Sequence, residues 1–163
     1  MRLPLILSLM PLAFAGPILT VSPIPDLSIT ELRDSFKEKH SSARHRAIDL
    51  MKPRGTPAVA VVGGTVIKLH SSKRGGTSIY LFDEAQVYCY YYAHLDSYAD
   101  DLHEGQHVAP GDVLGYVGST GNAKYTAPHL HFAIYKLWPQ KHWWQGTAIN
   151  PYPKLKQLLQ AAD

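Results

Sequence analysis

The sequence Pro128-His129-Leu130-His131-Phe132, near the carboxyl end of the chain, alternates imidazole rings with apolar side chains. An alternation with a period of two is typical of a β-strand that has one buried face and one open face. We therefore predict a strand that presents His129 and His131 side by side on one surface. Because paired histidines also occur on ordinary sheet surfaces, their role depends on partners elsewhere in the chain.

Upstream of this strand, short runs rich in β-branched and aromatic residues alternate with turns marked by glycine and proline. The runs predicted as strands are Ala58–Val62, Thr65–His70, Thr77–Phe82 and Val87–His94. Strands at a spacing of about ten residues, with no long helical pattern between them, indicate an antiparallel all-β domain. In the last of these runs, alternation places the even-numbered residues, including His94, on one face.

The first residues of the chain have the features of a targeting segment. Residues 1–15 combine a positive charge at Arg2, an apolar run and the sequence Ala13-Phe14-Ala15. These features are typical of a secretory signal peptide with a small-x-small cleavage site. The apolar run is too short to span a bilayer comfortably. We therefore expect cleavage here, which leaves no membrane anchor.

The remainder of the chain divides into three parts. Residues 16–40 are predicted to form an extended lead-in with a short helix, because Ser28 and Glu31 have the spacing of a capping box. Residues 41–153 form the main domain in this interpretation. Residues 154–163 are predicted to form a short amphipathic tail helix.

Length and composition exclude several classes of protein. With 163 residues the chain is long enough for one domain with a hydrophobic core. Sixteen Lys and Arg against thirteen Asp and Glu give a net charge of +3 without a basic run, so we expect no nucleic-acid partner. Cys89 is the only cysteine, which excludes an intramolecular disulfide, and its apolar neighbours predict a buried structural thiol.

Three further residues can join the paired histidines. His45 and Asp49 are four positions apart and share a face in either a helix or an extended strand, and His94 ends a predicted strand. Two histidines and one carboxylate make a tetrahedral zinc site with one position left for water. Two further imidazoles then remain for proton transfer in amide hydrolysis. The candidate set is His45, Asp49, His94, His129 and His131.

The order and approximate separation of these motifs resemble those of the lysostaphin-type (LytM-type) peptidoglycan endopeptidases. The segments that carry the resemblance are His45-x-x-x-Asp49, Tyr92-Ala93-His94-Leu95, Gly111-Asp112-x-x-Gly115, Gly118-x-Thr120-Gly121 and His129-Leu130-His131. The similarity extends from Arg33 to Pro153. The chain has Ser35-Phe36-Lys37-Glu38-Lys39 where many relatives have Ser-Phe-Gly-x-Arg, and Ala47 where they have Gly.

The resemblance implies a small antiparallel β-fold, the duplicated hybrid motif, with a groove over a metal ion. It implies one zinc ion per chain, bound by His45, Asp49 and His131. It also implies His94 and His129 as the catalytic imidazoles, and leaves open which of them is the base. The expected substrate is a peptide cross-link of bacterial peptidoglycan, met in the periplasm or outside the cell, and we expect a monomer.

Two alternatives accompany this interpretation. A non-catalytic regulator that binds the wall or activates another hydrolase would share the fold, although such relatives have usually lost zinc ligands or catalytic histidines. The sequence His103-Glu104-Gly105-Gln106-His107 matches the His-Glu-x-x-His motif of another zinc-protease class, which needs that motif inside a helix. Gly105 and the nearby Pro110 oppose a helix, so we predict a turn.

Overall fold

The computed structural model describes residues 16–40 and 43–162, and only the backbone of Lys39, His40 and Ala43. The predicted signal peptide, residues 1–15, and the last tail residue, Asp163, lie outside the described residues. The strands are β1 Lys39–His40, β2 Ala43–Arg44, β3 Ile48–Met51, β4 Pro57–Val59, β5 Gly64–Ser72, β6 Gly76–Asp83, β7 Tyr88–Tyr98, β8 His107–Val108, β9 Val113–Val117, β10 His129–Leu137 and β11 Gly146–Ile149.

All strand pairs are antiparallel, and β3 to β11 join in one nine-stranded sheet. The continuous order is β11-β10-β7-β6-β5-β8, while β3 pairs with β10 and β9 pairs with both β4 and β7. The predicted all-β antiparallel fold is therefore confirmed. Strands β5 and β6 contain the predicted runs Thr65–His70 and Thr77–Phe82, and β7 extends its predicted run by four residues to Tyr98.

Strand β10 separates the core from the functional surface. Its side chains Leu130, Phe132 and Ile134 are fully buried in the main hydrophobic cluster. The intervening residues His129 and His131 line a groove on the opposite face of the sheet. The period-two alternation of the sequence thus predicts correctly which side chains of this strand are in the core.

Strand β7 departs from the predicted alternation at its functional end. His94 has a φ of 61° in the left-handed region, where a residue with a side chain is rarely found. As a result Ala93 and His94 both line the groove, whereas Tyr92 and Leu95 on either side are fully buried in the core. The prediction that His94 shares a face with Tyr92 was wrong, because a local backbone irregularity shifts the alternation by one residue.

The lead-in packs against the sheet along much of its length. Ile24 is fully buried, and Leu27 and Leu32 are 5% and 9% exposed in the same core cluster. The hydroxyl of Tyr90 donates a hydrogen bond of 2.8 Å to the carbonyl of Ile18. The predicted short helix is a single 3-10 turn, Ile29–Glu31, so it is shorter than the spacing suggested.

The carboxyl-terminal helix α1, Tyr152–Ala162, closes one end of the core. Leu155 and Leu159, four positions apart, are its buried residues, as expected for an amphipathic helix. No helix within residues 16–40 or 43–162 has the length and apolar character needed to cross a membrane.

Candidate active site

Asp49 and His131 are brought together by strand register. They are direct partners in the antiparallel pair β3–β10. Opposed residues in such a pair have β-carbons about 5 Å apart, so their side chains meet on the same face. The Nδ1 atom of His131 lies 3.1 Å from the Oδ1 atom of Asp49.

His45 enters the same point from outside the regular strands. It lies between β2 and β3, and the chain turns at Arg46, which has a φ of 57° and donates its N–H to the Phe36 carbonyl. The Nε2 atom of His45 is 3.0 Å from Oδ1 of Asp49 and 3.0 Å from Nδ1 of His131. The three side chains therefore aim three donor atoms at one common point.

This triangle fits a small divalent ion. Nitrogen and carboxylate oxygen donors at about 2.0–2.1 Å from a tetrahedral zinc ion lie about 3.3 Å from one another. The observed separations of 3.0–3.1 Å come within a few tenths of an ångström of that value. The side chain of His45 is 5% exposed and that of His131 is 17% exposed, so the donors are shielded but reachable from the groove.

The electrostatics of the triangle are strongly coupled. Burial alone would raise the pKa of Asp49, but hydrogen bonds from His131 and His45 hold that pKa far below its ordinary value. Burial would lower the pKa of His45, yet the hydrogen bond and charge of Asp49 outweigh burial and raise it. For His131 burial prevails over Asp49, and its pKa is lowered. The lowered pKa favours the ionised carboxylate of Asp49, at the centre of a group of side chains that could hold a metal ion.

Two more imidazoles stand beside the triangle. The Nε2 atom of His129 is 3.9 Å from Oδ1 of Asp49, while its Nδ1 lies 2.9 Å from the Ala127 carbonyl. The ring centroid of His94 is 5.1 Å from that of His129 and 5.4 Å from that of His131. All five residues predicted from the sequence thus converge, although their individual roles stay predictions.

His94 is held in a neutral form. Its Nδ1 lies 2.9 Å from the Thr120 carbonyl, and a carbonyl oxygen only accepts hydrogen bonds, so Nδ1 carries the proton. Burial, together with the nearby charge of His131, lowers the pKa of His94 to about 4. Its Nε2 lone pair is therefore available near neutral pH.

Ser35 supports two of the three donors. Its carbonyl lies 3.1 Å from Nδ1 of His45 and accepts the proton on that atom. The lone pair of His45 is therefore on Nε2, the atom that faces the triangle. Its hydroxyl accepts the backbone N–H of Asp49 at 3.1 Å. Ser35 was assigned no role from the sequence, although the Ser35-Phe36 pair, which many relatives also have at this place, was a signal.

The groove over the site has a volume of ≈ 970 Å³. Its walls carry Arg44, Arg46 and Arg74, and Asp49 is the only carboxylate among the described residues that line it. Sequence analysis did not identify these arginines, because they come from two separate segments. The position of Arg44 and Arg46 on either side of His45 was the one signal available.

The remaining histidine motif and the cysteine behave as predicted. The His103–His107 segment is a turn followed by the start of β8, with Gly105 in the left-handed region at a φ of 85°. Its Glu104 pairs with Lys68 at 2.8 Å and takes no part in the groove. Cys89 is fully buried, and burial raises the pKa of its thiol well above the ordinary value, which agrees with a structural role.

Comparison with known proteins places the chain in a family. The model of Peptidase family M23 matches residues 43–151. An L-Ala--D-Glu endopeptidase of Bacillus subtilis is 33% identical over 117 residues, which are 69% of this chain and 34% of that protein. The DD-carboxypeptidase/endopeptidase Mpg of Neisseria meningitidis serogroup B is 38% identical over 129 residues, which are 76% of this chain and 27% of Mpg. The chain thus spans about a third or less of the length of these relatives.

The fold comparison agrees with the sequence comparison. The catalytic domain of the antimicrobial peptidase lysostaphin from Staphylococcus simulans superimposes with a TM-score of 0.65 at 28% identity. The superposition covers 78% of this chain and 95% of that domain. The predicted resemblance to lysostaphin-type enzymes is confirmed, and the chain belongs to peptidase family M23, a family of metallo-endopeptidases.

Proposed function

We propose that this chain is a zinc-dependent endopeptidase that hydrolyses peptide cross-links of bacterial peptidoglycan. The observation that carries the proposal is the triangle of His45, Asp49 and His131 donor atoms, 3.0–3.1 Å apart, at the base of a groove. Membership of family M23 supports a peptidase, and two relatives, an L-Ala--D-Glu endopeptidase and a DD-carboxypeptidase/endopeptidase, support peptidoglycan peptides as the substrate.

The proposed ligands of a single zinc ion are Nε2 of His45, Oδ1 of Asp49 and Nδ1 of His131. Two imidazoles and one carboxylate are a donor set that suits catalytic zinc. Zinc held by these residues would supply Lewis-acid chemistry, which polarises a peptide carbonyl and makes water acidic enough to attack near neutral pH. The hydrogen bond from His45 to the Ser35 carbonyl holds the ring in the tautomer that a metal needs.

The proposed catalytic residues are His94 and His129. Each has its Nδ1 2.9 Å from a backbone carbonyl, which places a proton on Nδ1 and leaves Nε2 as the atom that can exchange a proton. One imidazole takes the proton of the attacking water, and a proton must reach the leaving amine nitrogen when the peptide bond breaks. The imidazole that then carries a proton, or its neighbour, also stabilises negative charge on the scissile carbonyl oxygen.

The proposed place of action is the cell wall, which requires export of the chain. The support for export comes from the sequence of residues 1–15 and from the proposed substrate, which lies outside the cytoplasmic membrane. We further propose that the active unit is a monomer, because all five side chains of the proposed site come from one chain.

The decisive experiment measures metal content and wall hydrolysis together. The purified protein is expected to contain one zinc ion per chain and to release soluble peptide fragments from purified sacculi. A chelator is expected to stop release, and added zinc to restore it. Mass spectrometry of the fragments then identifies the bond that is cut.

Two results would contradict the proposal. Release that continues after the zinc has been removed would exclude the metal-dependent mechanism. A protein that carries no zinc, cuts nothing after zinc is added, and still binds sacculi would instead support the non-catalytic regulator.

A further inference from the structure

The arginines of the protein fall into two groups according to their partners. Of the five arginines that the structure describes, Arg33 pairs with Glu38 at 3.0 Å and Arg54 pairs with Asp96. Both pairs lie outside the groove. The other three, Arg44, Arg46 and Arg74, line the groove, and none of them forms an ion pair or a side-chain hydrogen bond with any described residue.

The unpaired arginines come from two segments of the chain that line the proposed active site. Arg44 and Arg46 flank the proposed ligand His45 in sequence. Arg74 precedes Gly75, whose carbonyl accepts the backbone N–H of His94 at 2.9 Å. A peptide that occupies the groove therefore lies beside residues that carry guanidinium groups.

The backbone that carries two of these side chains, Arg46 and Arg74, is held by hydrogen bonds to neighbouring segments. The N–H of Arg46 donates to the Phe36 carbonyl at 3.1 Å, and the carbonyl of Arg74 accepts the N–H of Asn122 at 3.1 Å. The positive charges of both arginines also act on Tyr135, which lines the groove. Burial raises the pKa of Tyr135, and the charges of Arg74 and Arg46 oppose that rise. The guanidinium groups are thus near the groove wall on backbone that is held in place.

A groove with three unpaired guanidinium groups and one metal-facing carboxylate has a surplus of positive charge. Guanidinium is a planar donor of paired hydrogen bonds, and carboxylate is the acceptor that matches it. A neutral oligoglycine chain offers no such acceptor apart from its backbone carbonyls. The charge of the groove therefore favours a peptide that bears free carboxylates.

We propose that Arg44, Arg46 and Arg74 select substrate peptides that carry free carboxylates close to the scissile bond, in preference to neutral peptides. The proposal rests on the hydrolytic function proposed above and specifies the substrate class of the same groove. It assigns the arginines to substrate binding, so their loss acts mainly on KM.

The test compares native sacculi with sacculi whose peptide carboxylates have been converted to amides. The zinc-loaded protein is expected to release fragments from native sacculi about tenfold faster than from amidated sacculi at low substrate. Replacement of each arginine by glutamine, in R44Q, R46Q and R74Q, is expected to slow release from native sacculi several-fold through KM. The ratio of native to amidated release should fall toward one in each variant, and an unchanged zinc content shows that each variant is folded.

Two matched variants separate specific recognition from general attraction between charges. K73Q removes a positive charge from the same turn as Arg74, but Lys73 does not line the groove, so its native-to-amidated ratio should equal that of the unaltered protein. R74K keeps the positive charge but loses the planar pair of hydrogen-bond donors, so it should retain only part of the preference for native sacculi.

Each outcome has one meaning. Equal release from native and amidated sacculi by the unaltered protein would overturn this inference and leave the hydrolytic function standing. The same conclusion would follow if K73Q lost as much of the preference for native sacculi as R74Q. No release from either preparation would overturn the hydrolytic function itself and this inference with it.

Discussion

The two halves of the proposed active site are built in different ways. The donor triangle is set by the register of two regular strands, β3 and β10, which places Asp49 directly opposite His131. The neighbouring imidazole of His94 is set instead by an irregular backbone, with a φ of 61° and a hydrogen bond to the Thr120 carbonyl. The first half depends on pairing along a sheet, and the second depends on one unusual turn of the chain.

The halves also differ in charge. Asp49 is kept ionised by hydrogen bonds from two histidines, so the triangle is prepared for a cation. His94 is kept neutral by burial and by the nearby His131, so it is prepared to accept a proton. One groove can thus separate the proposed metal binding from the proposed proton transfer by giving each a different local environment. Four experiments test that separation.

The largest expected effect follows from Asp49→Ala. The change removes the only carboxylate of the triangle, so both zinc content and release of fragments from sacculi should fall to background. Zinc per chain is measured by elemental analysis, and release by chromatography. Asp100→Ala, which removes an exposed carboxylate outside the groove, is the control and should behave like the unaltered protein. Full zinc content in Asp49→Ala would show that the triangle is not the metal site.

His94→Ala tests the other half alone. The imidazole is outside the triangle, so the variant should keep one zinc ion per chain while hydrolysis falls about 10²- to 10⁴-fold. His103→Ala, which removes an exposed histidine of the turn, should retain both properties. If His94→Ala hydrolyses sacculi at the normal rate, His94 has no part in proton transfer.

The pH dependence of stability tests the environment of His94. In the metal-free protein its pKa is lowered to about 4 from an ordinary 6.5, so the unfolded chain binds more protons between these values. Stability should therefore fall as pH drops from about 6.5 to 4, by roughly 3 kcal/mol from this residue. His131 acts in the same direction and His45 in the opposite one. Urea unfolding across this range should give a flatter profile for His94→Ala, and an identical profile would be inconsistent with a buried neutral imidazole.

Ser35→Ala should give the smallest effect, and one confined to the donor triangle. The change removes the acceptor of the Asp49 N–H but leaves the carbonyl that holds His45. We expect zinc affinity to fall about tenfold, as is usual for a residue that supports metal ligands, with near-normal hydrolysis at saturating zinc. Competition with a chromophoric chelator measures the affinity, and the exposed Ser71→Ala is the control. A variant with unchanged affinity would show that Ser35 supports only the fold.

The regular strands and their alternating faces were the features of the molecule that could be predicted from the sequence. Alternation in Pro128-His129-Leu130-His131-Phe132 separates groove from core correctly, and the antiparallel all-β fold follows from short runs and turns. Convergence of His45 and Asp49 with His131 was also accessible, since family motifs preserve the order of residues that meet in space. These features depend on residue types and spacing, which a sequence displays.

Irregular backbone conformations and hydrogen bonds to backbone atoms could not be predicted from the sequence. No residue type near His94 indicates its left-handed conformation, so the face of β7 on which His94 lies was predicted incorrectly. The support from Ser35 runs through its carbonyl, which every residue type possesses, and through its hydroxyl, which accepts the distant backbone N–H of Asp49. The charge of the groove arises because the turn that holds Arg74 lines the same groove as Arg44 and Arg46, an arrangement that depends on the complete sheet.

The long separation in sequence between the proposed metal ligands determines when the site can form. His45 and His131 are 86 positions apart, so their meeting requires β10 to be docked beside β3. An unfolded chain therefore has no assembled site for the proposed zinc ion. Uptake of that ion would report that folding is complete, so the proposed chemistry belongs to the folded chain alone.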